Sequence, residues 1–306
     1  MSNDPMLRML GRMDPLPPRF IPTLAAWFRA CLVALLAATP ALSPAHAESL
    51  PPSPLEETVC GAFAERWAFQ NWASAAGSPD DSLVAEVPNA VREEFTTEDK
   101  RKLIGFKLPA KGKPIGSLLF IQGNGMLVDR ALRWLGPFVD AGWDVYLYDF
   151  RGYGRSNGSR RLKAMTSDYR ALLSHLAQHG RQPVHAYAVS FGGILLLNAI
   201  SALPPTGRAI IDSTPSMVSS LGCPESFDPV RQVPLSADRL LFIEGSKDDV
   251  VTPASMRALR RAIVAAQGHE LVLDGFGHPF TGSPDHHFRR LAYVVQFLAN
   301  KPAGTK

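Results

Sequence analysis

Residues 184–197 constrain the fold more than any other part of this chain. The stretch begins with the apolar run VHAYAV, passes through Ser190 and continues as FGGILLL. The first run is typical of a buried strand, and the second of a helix that is buried on all sides. A strand and a helix joined by so tight a turn need small neighbours, which Ala188, Gly192 and Gly193 supply. We therefore predict a strand, a turn at Ser190 and a buried helix.

The same residues follow the G-x-S-x-G pattern that holds a serine hydroxyl out at the end of a strand, with alanine in the first place. A stricter match, GRSNG, surrounds Ser156. Ser156 lies among glycines and polar residues, which is typical of a loop. Ser190 directly ends a strand and opens a helix, so we favour Ser190 as the nucleophile and Ser156 as a loop serine. A Ser190 that only satisfies its own turn is the alternative.

The first 47 residues differ from the rest of the 306-residue chain. Four arginines precede the apolar run Ala30 to Ala38, and prolines and the small-residue site Ala45-His46-Ala47 follow. This order predicts a secretory signal peptide over residues 1–47, with cleavage after Ala47 and export to the periplasm or the medium. The apolar run is shorter than the roughly 20 residues that span a bilayer. An uncleaved anchor or amphipathic tail is the alternative, and the true start could be Met6 or Met13.

The composition of the remaining chain is that of one globular domain. The formal net charge of the whole chain is +4 and no lysine or arginine block stands out, so we expect no nucleic-acid partner. After signal cleavage we expect no stable membrane span. No cysteine or histidine spacing suggests a metal, and we predict no cofactor. Cys60 and Cys223 would remain in an exported protein, where they could pair. Whether they do, and the oligomeric state, are left open by the sequence.

We divide the exported chain into a leader with an amphipathic helix, residues 48–90, and a main domain, residues 91–306. The leader helix is predicted from an apolar stripe at helical spacing that should face the main body, and Gly77 to Asp81 should end it. The stripe consists of Leu55, Val59, Phe63 and Trp67, with Trp72 and Ala75 beyond.

In the main domain, short apolar strands alternate with longer helical patterns, which predicts a mostly parallel sheet wrapped by helices on both faces. The predicted strands are 92–97 and 102–108, both as half-buried edge strands, then 116–122, 143–150, 184–189, 209–211, 239–243 and 270–273. The predicted helices are 129–139, 166–179, the helix after Ser190, 254–266 and 285–298. In such sheets the functional loops gather at the carboxyl ends of the strands.

A serine hydroxyl attacks an ester only with a base in hydrogen-bond reach and a third group to orient that base. Two further strand-end loops supply them. One contains Asp248 and Asp249, and the other contains His278 between glycine and proline, where the ring is free to reach a neighbouring loop. The order Ser190, Asp248, His278 is that of one large hydrolase fold.

The chain resembles the α/β-hydrolase superfamily over about residues 92–300, in the branch of lid-poor esterases, thioesterases and serine-aminopeptidase-like (S33-type) hydrolases. The resemblance depends on four landmarks in order, and it implies Ser190 as nucleophile, Asp248 as acid and His278 as base. By the register of the Gly-x-x-Asp motif we favour Asp248 over its neighbour Asp249, and Asp212 is a substitute acid. The landmarks are Gly123-Asn124-Gly125, the Asp149-x-Arg151-Gly152-x-Gly154-x-Ser156 loop, the turn at Ser190, and the Gly245-x-x-Asp248 and Gly277-His278 loops.

The resemblance also implies an oxyanion hole formed by the backbone N–H groups of Phe191 and Asn124. Asn124 as a mere turn residue is the alternative. The chain departs from the family at Gln122, where histidine is usual and braces the loop. About 27 residues separate Ile211 from Arg239, where the superfamily inserts its lid, so we expect no lid of several helices and an open site. Phe276, Phe280 and Met126 either line an acyl pocket or pack in the core, while the Arg151 loop should brace the sheet.

These features predict an exported serine hydrolase that cleaves a carboxylic ester or thioester of a small-molecule or acyl-chain substrate. Because the base must be neutral, activity should rise with pH through roughly 6 to 7. A peptidase or amidase on the same fold is one alternative, for which Glu225 and Asp228 could bind an amine. A non-catalytic binding protein is the other, and Gln122 is its only support.

Overall fold

The computed structural model describes residues 53–201 and 205–299. The predicted signal peptide, its cleavage site and the alternative start residues lie outside this range, so these remain predictions. None of the helices in the described ranges combines the length and apolar character needed to cross a membrane.

In the described residues, eight strands form a single sheet in the order β1-β2-β4-β3-β5-β6-β7-β8. The strands β3 to β8 run parallel to their neighbours, while β1 and β2 are antiparallel additions at one edge. The mostly parallel sheet is therefore as predicted. The strands are β1 (Val91–Thr96), β2 (Lys102–Leu108), β3 (Gly116–Ile121), β4 (Trp143–Tyr148), β5 (Val184–Val189), β6 (Ala209–Asp212), β7 (Leu240–Gly245) and β8 (His269–Leu273).

One prediction about the sheet edge is wrong. Strand β2 is not an edge strand, because it pairs with β1 on one side and with β4 on the other. Only β1 lies at that edge, and its residues are largely exposed. The alternating pattern of β2 reports which of its faces is covered, and it cannot tell how many neighbours the strand has.

Helices cover both faces of the sheet, as predicted. One hydrophobic cluster contains side chains of α1, α5, α6 and α7, and a second contains those of α3, α4 and α8. The helices are α1 (Ala62–Ala76), α2 (Asp81–Ala85), α3 (Val128–Ala131), α4 (Gly136–Asp140), α5 (Leu162–His179), α6 (Phe191–Ile200), α7 (Pro253–Ala265) and α8 (Pro284–Ala299).

Helix α5 begins at Leu162, four residues before the predicted start at Thr166. Its N-cap residue makes no side-chain hydrogen bond to the first turn. Instead Glu65 of α1 accepts the Leu162 N–H at 2.9 Å through one carboxylate oxygen. The other oxygen accepts the N–H groups of Val59 and Cys60, at 2.6 and 2.8 Å, just before α1. A single buried carboxylate thus accepts the first N–H of α5 and also holds the segment that leads into α1, and the contact with α5 joins residues that are far apart in sequence.

The predicted apolar stripe of the leader helix is correct at Trp72, which packs against the core, but it is wrong in phase at the start of the helix. Helix α1 begins only at Ala62, and Phe63 and Trp67 are 80% and 40% exposed. The buried face carries Phe69 and Ala76 instead. Val59 lies before the start of α1, so helical spacing does not apply between Val59 and Phe63 or Trp67.

The predicted helix 129–139 is broken in three, with a short 3-10 turn at Leu132–Trp134 between α3 and α4. Pro137 lies at the start of α4, where its missing N–H is no loss, and it cannot continue a preceding helix. The short helix α2 was not predicted.

The segment between β6 and β7 contains three single-turn 3-10 helices: Ser219–Leu221, Glu225–Phe227 and Pro229–Gln232. The prediction that this segment holds no lid of several helices is therefore confirmed. Cys223, in the same segment, forms a disulfide with Cys60, just before α1. This pairing, left open by the sequence, attaches the leader to the region between β6 and β7.

Candidate active site

Ser190 occupies the turn between β5 and α6, and its backbone adopts a rare conformation. Its φ is 56° and its ψ is −118°, and a positive φ costs a residue that has a side chain about 1–3 kcal/mol. Two contacts stabilise this backbone. The Ser190 N–H donates to the carbonyl of Asp212 at 2.8 Å, and the hydroxyl of Thr214 donates to the Ser190 carbonyl at 3.0 Å. The predicted strand–serine–helix turn is therefore present at the carboxyl edge of the sheet.

The small residues around this turn are required by close packing. A methyl group added at Gly192 would lie 2.5 Å from the carbonyl oxygen of Ile121, and one added at Gly193 would overlap the hydroxyl of Thr214. Ala188, the departure from the usual first glycine, is fully buried at the end of β5. Its methyl group is accommodated, so this departure leaves the turn intact.

His278 and Asp248 meet in the loops that follow β8 and β7. His278 Nδ1 lies 2.8 Å from Asp248 Oδ2, and the two side chains are 9% and 0% exposed. Asp248 Oδ1 accepts the N–H groups of Val250 and Val251, at 3.0 and 2.8 Å, which fixes the carboxylate. Burial opposes its ionisation, yet the hydrogen bond and charge of His278 hold the pKa of Asp248 below its usual value. The carboxylate can therefore orient the ring and stabilise it when it is protonated.

The two alternative acids do not contact His278. Asp249 is exposed, next to the buried Asp248. Asp212 is fully buried at the end of β6, where its oxygens pair with Arg290 Nη1 at 2.5 Å and Tyr187 Oη at 2.9 Å. Burial raises the pKa of Asp212, while the charge of Arg290 opposes this shift. The register of the Gly-x-x-Asp motif therefore selected the carboxylate that meets the histidine.

Ser156 is tied into the backbone and is 6% exposed. Its hydroxyl donates to the carbonyl of Asp149 at 2.9 Å and accepts the N–H of Ile104 at 2.9 Å. A hydroxyl engaged in this way links the β4 loop to β2 and is not available for attack. The stricter sequence match is thus a structural serine.

Ser190 lies close to the loop that follows β3. A methyl group added at Gly123 would lie 3.4 Å from Ser190 Cβ, so the backbone of this loop packs directly on the serine. Within the described ranges the Ser190 hydroxyl makes no hydrogen bond to His278. The contact between nucleophile and base therefore remains a prediction.

The two expected oxyanion donors lie on either side of Ser190. Phe191 is the first residue of α6, where the N–H groups of the first turn lack partners in the helix. Asn124 follows Gly123 in the β3 loop, and its Oδ1 accepts the N–H of Gly125 at 3.1 Å and the hydroxyl of Tyr153 at 2.7 Å. The contact from Tyr153 was not expected from the sequence.

Gln122 keeps the bracing role expected of the usual histidine. It is fully buried, and its Nε2 donates to the carbonyl of Tyr148 at the end of β4, at 3.0 Å. The loop after β3 is therefore fastened to the neighbouring strand despite the substitution.

Arg151, in the β4 loop, braces the structure, as predicted. It is fully buried and makes two hydrogen bonds to Asp168 of α5, at 2.6 and 2.9 Å. It also makes two to Asp99, at 2.6 and 2.8 Å, and one to Glu56 at 3.2 Å. This network joins the leader, the β1–β2 turn and α5.

The aromatic residues suggested for an acyl pocket pack in the core. Phe276 is 6% exposed and stacks on His286, with ring centroids 4.6 Å apart. Phe280 contacts Phe120 and His287, with centroids 5.9 and 4.3 Å apart. Met126 is half-buried against the same cluster. The structure therefore favours the core interpretation for these three residues.

Helix α1 covers the side chain of Phe191, next to the proposed nucleophile. The rings of Phe69 and Trp72 lie 5.5 and 6.3 Å from that of Phe191, centroid to centroid. The disulfide between Cys60 and Cys223 holds the start of α1 against the segment between β6 and β7. The leader thus contributes a wall beside the candidate site.

Arg290 is a further residue near the site that sequence reasoning missed. It is 2% exposed, and besides pairing with Asp212 it donates from Nη2 to the carbonyl of Gly277 at 2.7 Å. Gly277 directly precedes His278. A signal was available, since Arg290 falls on the buried stripe of α8, where a charge needs a buried partner.

Comparison with known proteins agrees with this fold. Residues 112–232 match the family model described as "Serine aminopeptidase, S33". Among solved structures, the Pyrococcus furiosus esterase Pf2001 superposes with a TM-score of 0.57 at 18% identity, over 70% of this chain and 93% of that one. The Thermogutta terrifontis esterase Est2 gives a TM-score of 0.55 at 17% identity, over 72% of this chain and 96% of that one.

The chain has the α/β-hydrolase fold. At these identities the solved structures establish the fold of this chain and neither its activity nor its substrate. A Mycobacterium tuberculosis puromycin-hydrolyzing peptidase also superposes, with a TM-score of 0.53 at 18% identity, over 71% of this chain and 40% of that one.

Curated relatives of this chain are distant. The uncharacterized protein YfhR of Escherichia coli K12 is 27% identical over 148 residues, which are 44% of this chain and 51% of YfhR. Protein bem46 of Schizosaccharomyces pombe is 27% identical over 189 residues, 54% of this chain and 62% of bem46. The chain therefore spans only about half to two thirds of these relatives.

In the part of the chain that the structure describes, no cluster of three or more His, Cys, Asp or Glu side chains is arranged to hold a metal ion.

Proposed function

We propose that this chain is an exported serine hydrolase that cleaves a carboxylic ester or thioester through Ser190, His278 and Asp248. The observation that carries the proposal is the 2.8 Å contact between His278 Nδ1 and Asp248 Oδ2 at the edge of the sheet where the Ser190 turn lies. A buried carboxylate that holds an imidazole in this way selects the tautomer whose other nitrogen can accept a proton.

The proposed reaction has two stages. As Ser190 Oγ bonds to the carbonyl carbon, its proton passes to His278 Nε2 and the carbonyl electron pair moves to the oxygen. The N–H groups of Phe191 and Asn124 would donate to that oxyanion. When the bond to the leaving alcohol or thiol breaks, His278 gives that group the proton. Water then attacks the acyl-enzyme by the same route and releases the acid and free Ser190.

Export is supported by the N-terminal sequence and by the disulfide. The order of arginines, apolar run and small-residue site over residues 1–47 is that of a signal peptide. A disulfide between Cys60 and Cys223 suits an oxidising compartment. Mass spectrometry of the protein from fractionated cells tests this: a mature N-terminus at residue 48, in the periplasm or the medium, is the expected result.

Labelling with a fluorophosphonate tests the catalytic assignment. Wild type and Ser156→Ala should be labelled, and Ser190→Ala should not, because only the Ser190 hydroxyl is expected to be activated. Labelling that survives in Ser190→Ala would contradict the assignment. A wild type that is not labelled at all would favour the non-catalytic binding protein.

A peptidase or amidase is the second candidate, favoured by the match to the serine aminopeptidase model. Two residues suggested for binding a substrate amine are already engaged. Asp228 is 3% exposed and accepts hydrogen bonds from Val218 and Ser219, and Glu225 pairs with Arg231. We therefore favour the ester or thioester. Turnover of a nitrophenyl ester against an aminoacyl-anilide separates the two functions.

A further inference from the structure

The loops that follow β3 and β4 lie side by side, because the two strands pair in parallel with Phe120 opposite Leu147. Three hydrogen bonds join them. Gln122 Nε2 donates to the carbonyl of Tyr148 at 3.0 Å, Tyr153 Oη to Asn124 Oδ1 at 2.7 Å, and the Val128 N–H to Asp149 Oδ1 at 2.9 Å. The β4 loop therefore fastens the start, the middle and the end of the β3 loop.

The middle contact differs from the other two, because it reaches the side chain of a proposed oxyanion donor. The ring of Tyr153 is 1% exposed and packs edge-on against Phe150, with centroids 5.6 Å apart, so the hydroxyl has a fixed position. Burial raises the pKa of Tyr153, which keeps the phenol protonated and able to donate. The Tyr153 hydroxyl thus has a fixed position and keeps its proton.

The acceptor is equally constrained. Asn124 Oδ1 also accepts the N–H of Gly125, whose φ is 75°. Gly125 thus takes the left-handed conformation that the following turn requires. On the other side, Gly123 packs on Ser190 Cβ. The peptide N–H of Asn124 lies between these two fixed points, so the orientation of the Asn124 side chain and that of its backbone are linked.

We propose that Tyr153 is a positioning residue for the oxyanion hole: by holding the Asn124 side chain it aims the Asn124 N–H at the developing oxyanion. This proposal rests on the proposed function, since it needs Ser190 as nucleophile and Asn124 as donor. Tyr153 itself touches neither substrate nor Ser190 and exchanges no proton. Its effect is to remove the freedom of a donor that must be in place before the charge develops.

The chain offers a matched control in Tyr169. Its ring is also 1% exposed and packs on Phe150, with centroids 5.7 Å apart. Its hydroxyl donates at 3.1 Å to the carbonyl of Tyr148, which Gln122 also holds. Tyr169→Phe therefore removes a buried hydroxyl from the same aromatic cluster without releasing Asn124.

The test compares Tyr153→Phe with Tyr169→Phe on p-nitrophenyl acetate, with the rate of fluorophosphonate labelling as a second readout. Tyr153→Phe should lower kcat about 10–100-fold, somewhat less than loss of an oxyanion donor, with KM within about twofold. Tyr169→Phe should lower the Tm by a similar amount and leave kcat within about twofold. Equal kcat values for the two variants would overturn the proposal.

A second comparison starts from the acceptor. Asn124→Ala keeps its backbone N–H but offers Tyr153 no acceptor, so it should lose about as much kcat as Tyr153→Phe. The double variant should lose no more than either single one, because both act through one bond. Losses that multiply would overturn the proposal, with each kcat expressed per active site labelled by the fluorophosphonate so that unfolded protein does not count. If Ser190→Ala remains active, the proposed function fails instead.

Discussion

Arg290 pairs with Asp212 at 2.5 Å inside the protein, and of the two strand-end carboxylates it is Asp248 that contacts His278. Asp212 ends β6 and Asp248 follows β7, the neighbouring strand. Because both oxygens of Asp212 are engaged, by Arg290 and Tyr187, only Asp248 has an oxygen directed to the His278 ring. The same guanidinium also holds the carbonyl of Gly277, so Arg290 links the unused acid to the histidine loop.

Exchanging each of the two carboxylates for an amide should give different results. Asp248→Asn should lower kcat for p-nitrophenyl acetate by about 10³–10⁴-fold, because the amide neither selects the tautomer of His278 nor stabilises its charged form. Asp212→Asn should lower kcat less than about tenfold, since Asp212 is linked to the histidine loop only through Arg290 and the carbonyl of Gly277. Comparable losses in the two variants would show that the acid has been assigned to the wrong strand.

Removing the charge of Arg290 should weaken the fold. Arg290→Met leaves the fully buried Asp212 without its ionic partner, so the free energy of unfolding in urea should fall by about 3–5 kcal/mol. Arg289→Met, an exposed neighbour on the same helix, should change it by no more than about 0.5 kcal/mol. The double variant Arg290→Met/Asp212→Asn should be more stable than Arg290→Met alone. If the double variant is no more stable, the stability lost in Arg290→Met does not come from the unpaired Asp212.

The stability of the protein should depend on pH through His287. This side chain is 5% exposed, and neither ring nitrogen has a hydrogen-bond partner in the described structure. Burial, with the nearby charge of Arg290, lowers the pKa of His287 to about 3. In the unfolded chain the His287 side chain has its ordinary pKa of 6.5 and binds a proton below that pH. In the folded chain it stays neutral until the pH falls to about 3. Stability present above about pH 6.5 is therefore lost as the pH falls towards 3, by about 3 kcal/mol between pH 6.5 and 4.

His287→Phe should flatten this part of the pH profile, because phenylalanine keeps the contacts with Trp134 and Phe280 and binds no proton. Urea unfolding at pH 4, 5, 6 and 7 gives the slope. His286→Phe, on the same helix but half-buried, serves as the control. An unchanged slope in His287→Phe would contradict the prediction. The pKa of buried His185, lowered to about 4 by burial, contributes equally to all three proteins and cancels from the comparison.

The disulfide should contribute strongly to stability. Its cysteines are 163 positions apart, so the bond greatly restricts the unfolded chain. Cys60→Ser/Cys223→Ser should lower the free energy of unfolding by about 3–5 kcal/mol. Reductant should destabilise the wild type by a similar amount and leave the double variant unchanged. If the reductant breaks the disulfide of the wild type and the free energy of unfolding does not fall, the bond does not make this contribution.

Much of the sheet could be predicted from the sequence, because a buried parallel strand is a local signal. Strands such as β3 and β5 are continuous apolar runs, and the structure places them within one or two residues of the prediction. Helix starts were less predictable where the group that accepts the first N–H comes from a distant part of the chain. Glu65 accepts the Leu162 N–H across 97 positions, and no local pattern near Leu162 reports this.

In the candidate site, too, residues with a local motif could be predicted and residues that depend on distant contacts could not. Ser190, Asp248 and His278 could be predicted as site residues because each lies in a loop with its own motif, and the structure brings Asp248 and His278 into contact. Tyr153 and Arg290 were not found, since their importance lies in partners from other elements. Residues that hold a site are specified by packing across the fold, whereas those expected to do its chemistry are specified by short patterns.

The position of the disulfide also determines how the chain would respond to a protease. Cys60 and Cys223 close residues 60–223 into a covalent ring that contains Ser190, while Asp248 and His278 lie on the tail that leaves it. A single cut between residues 61 and 222 would therefore give two fragments that still migrate together on a non-reducing gel. A cut between residues 224 and 247 would break the covalent connection of the proposed acid and base to the proposed nucleophile in one step.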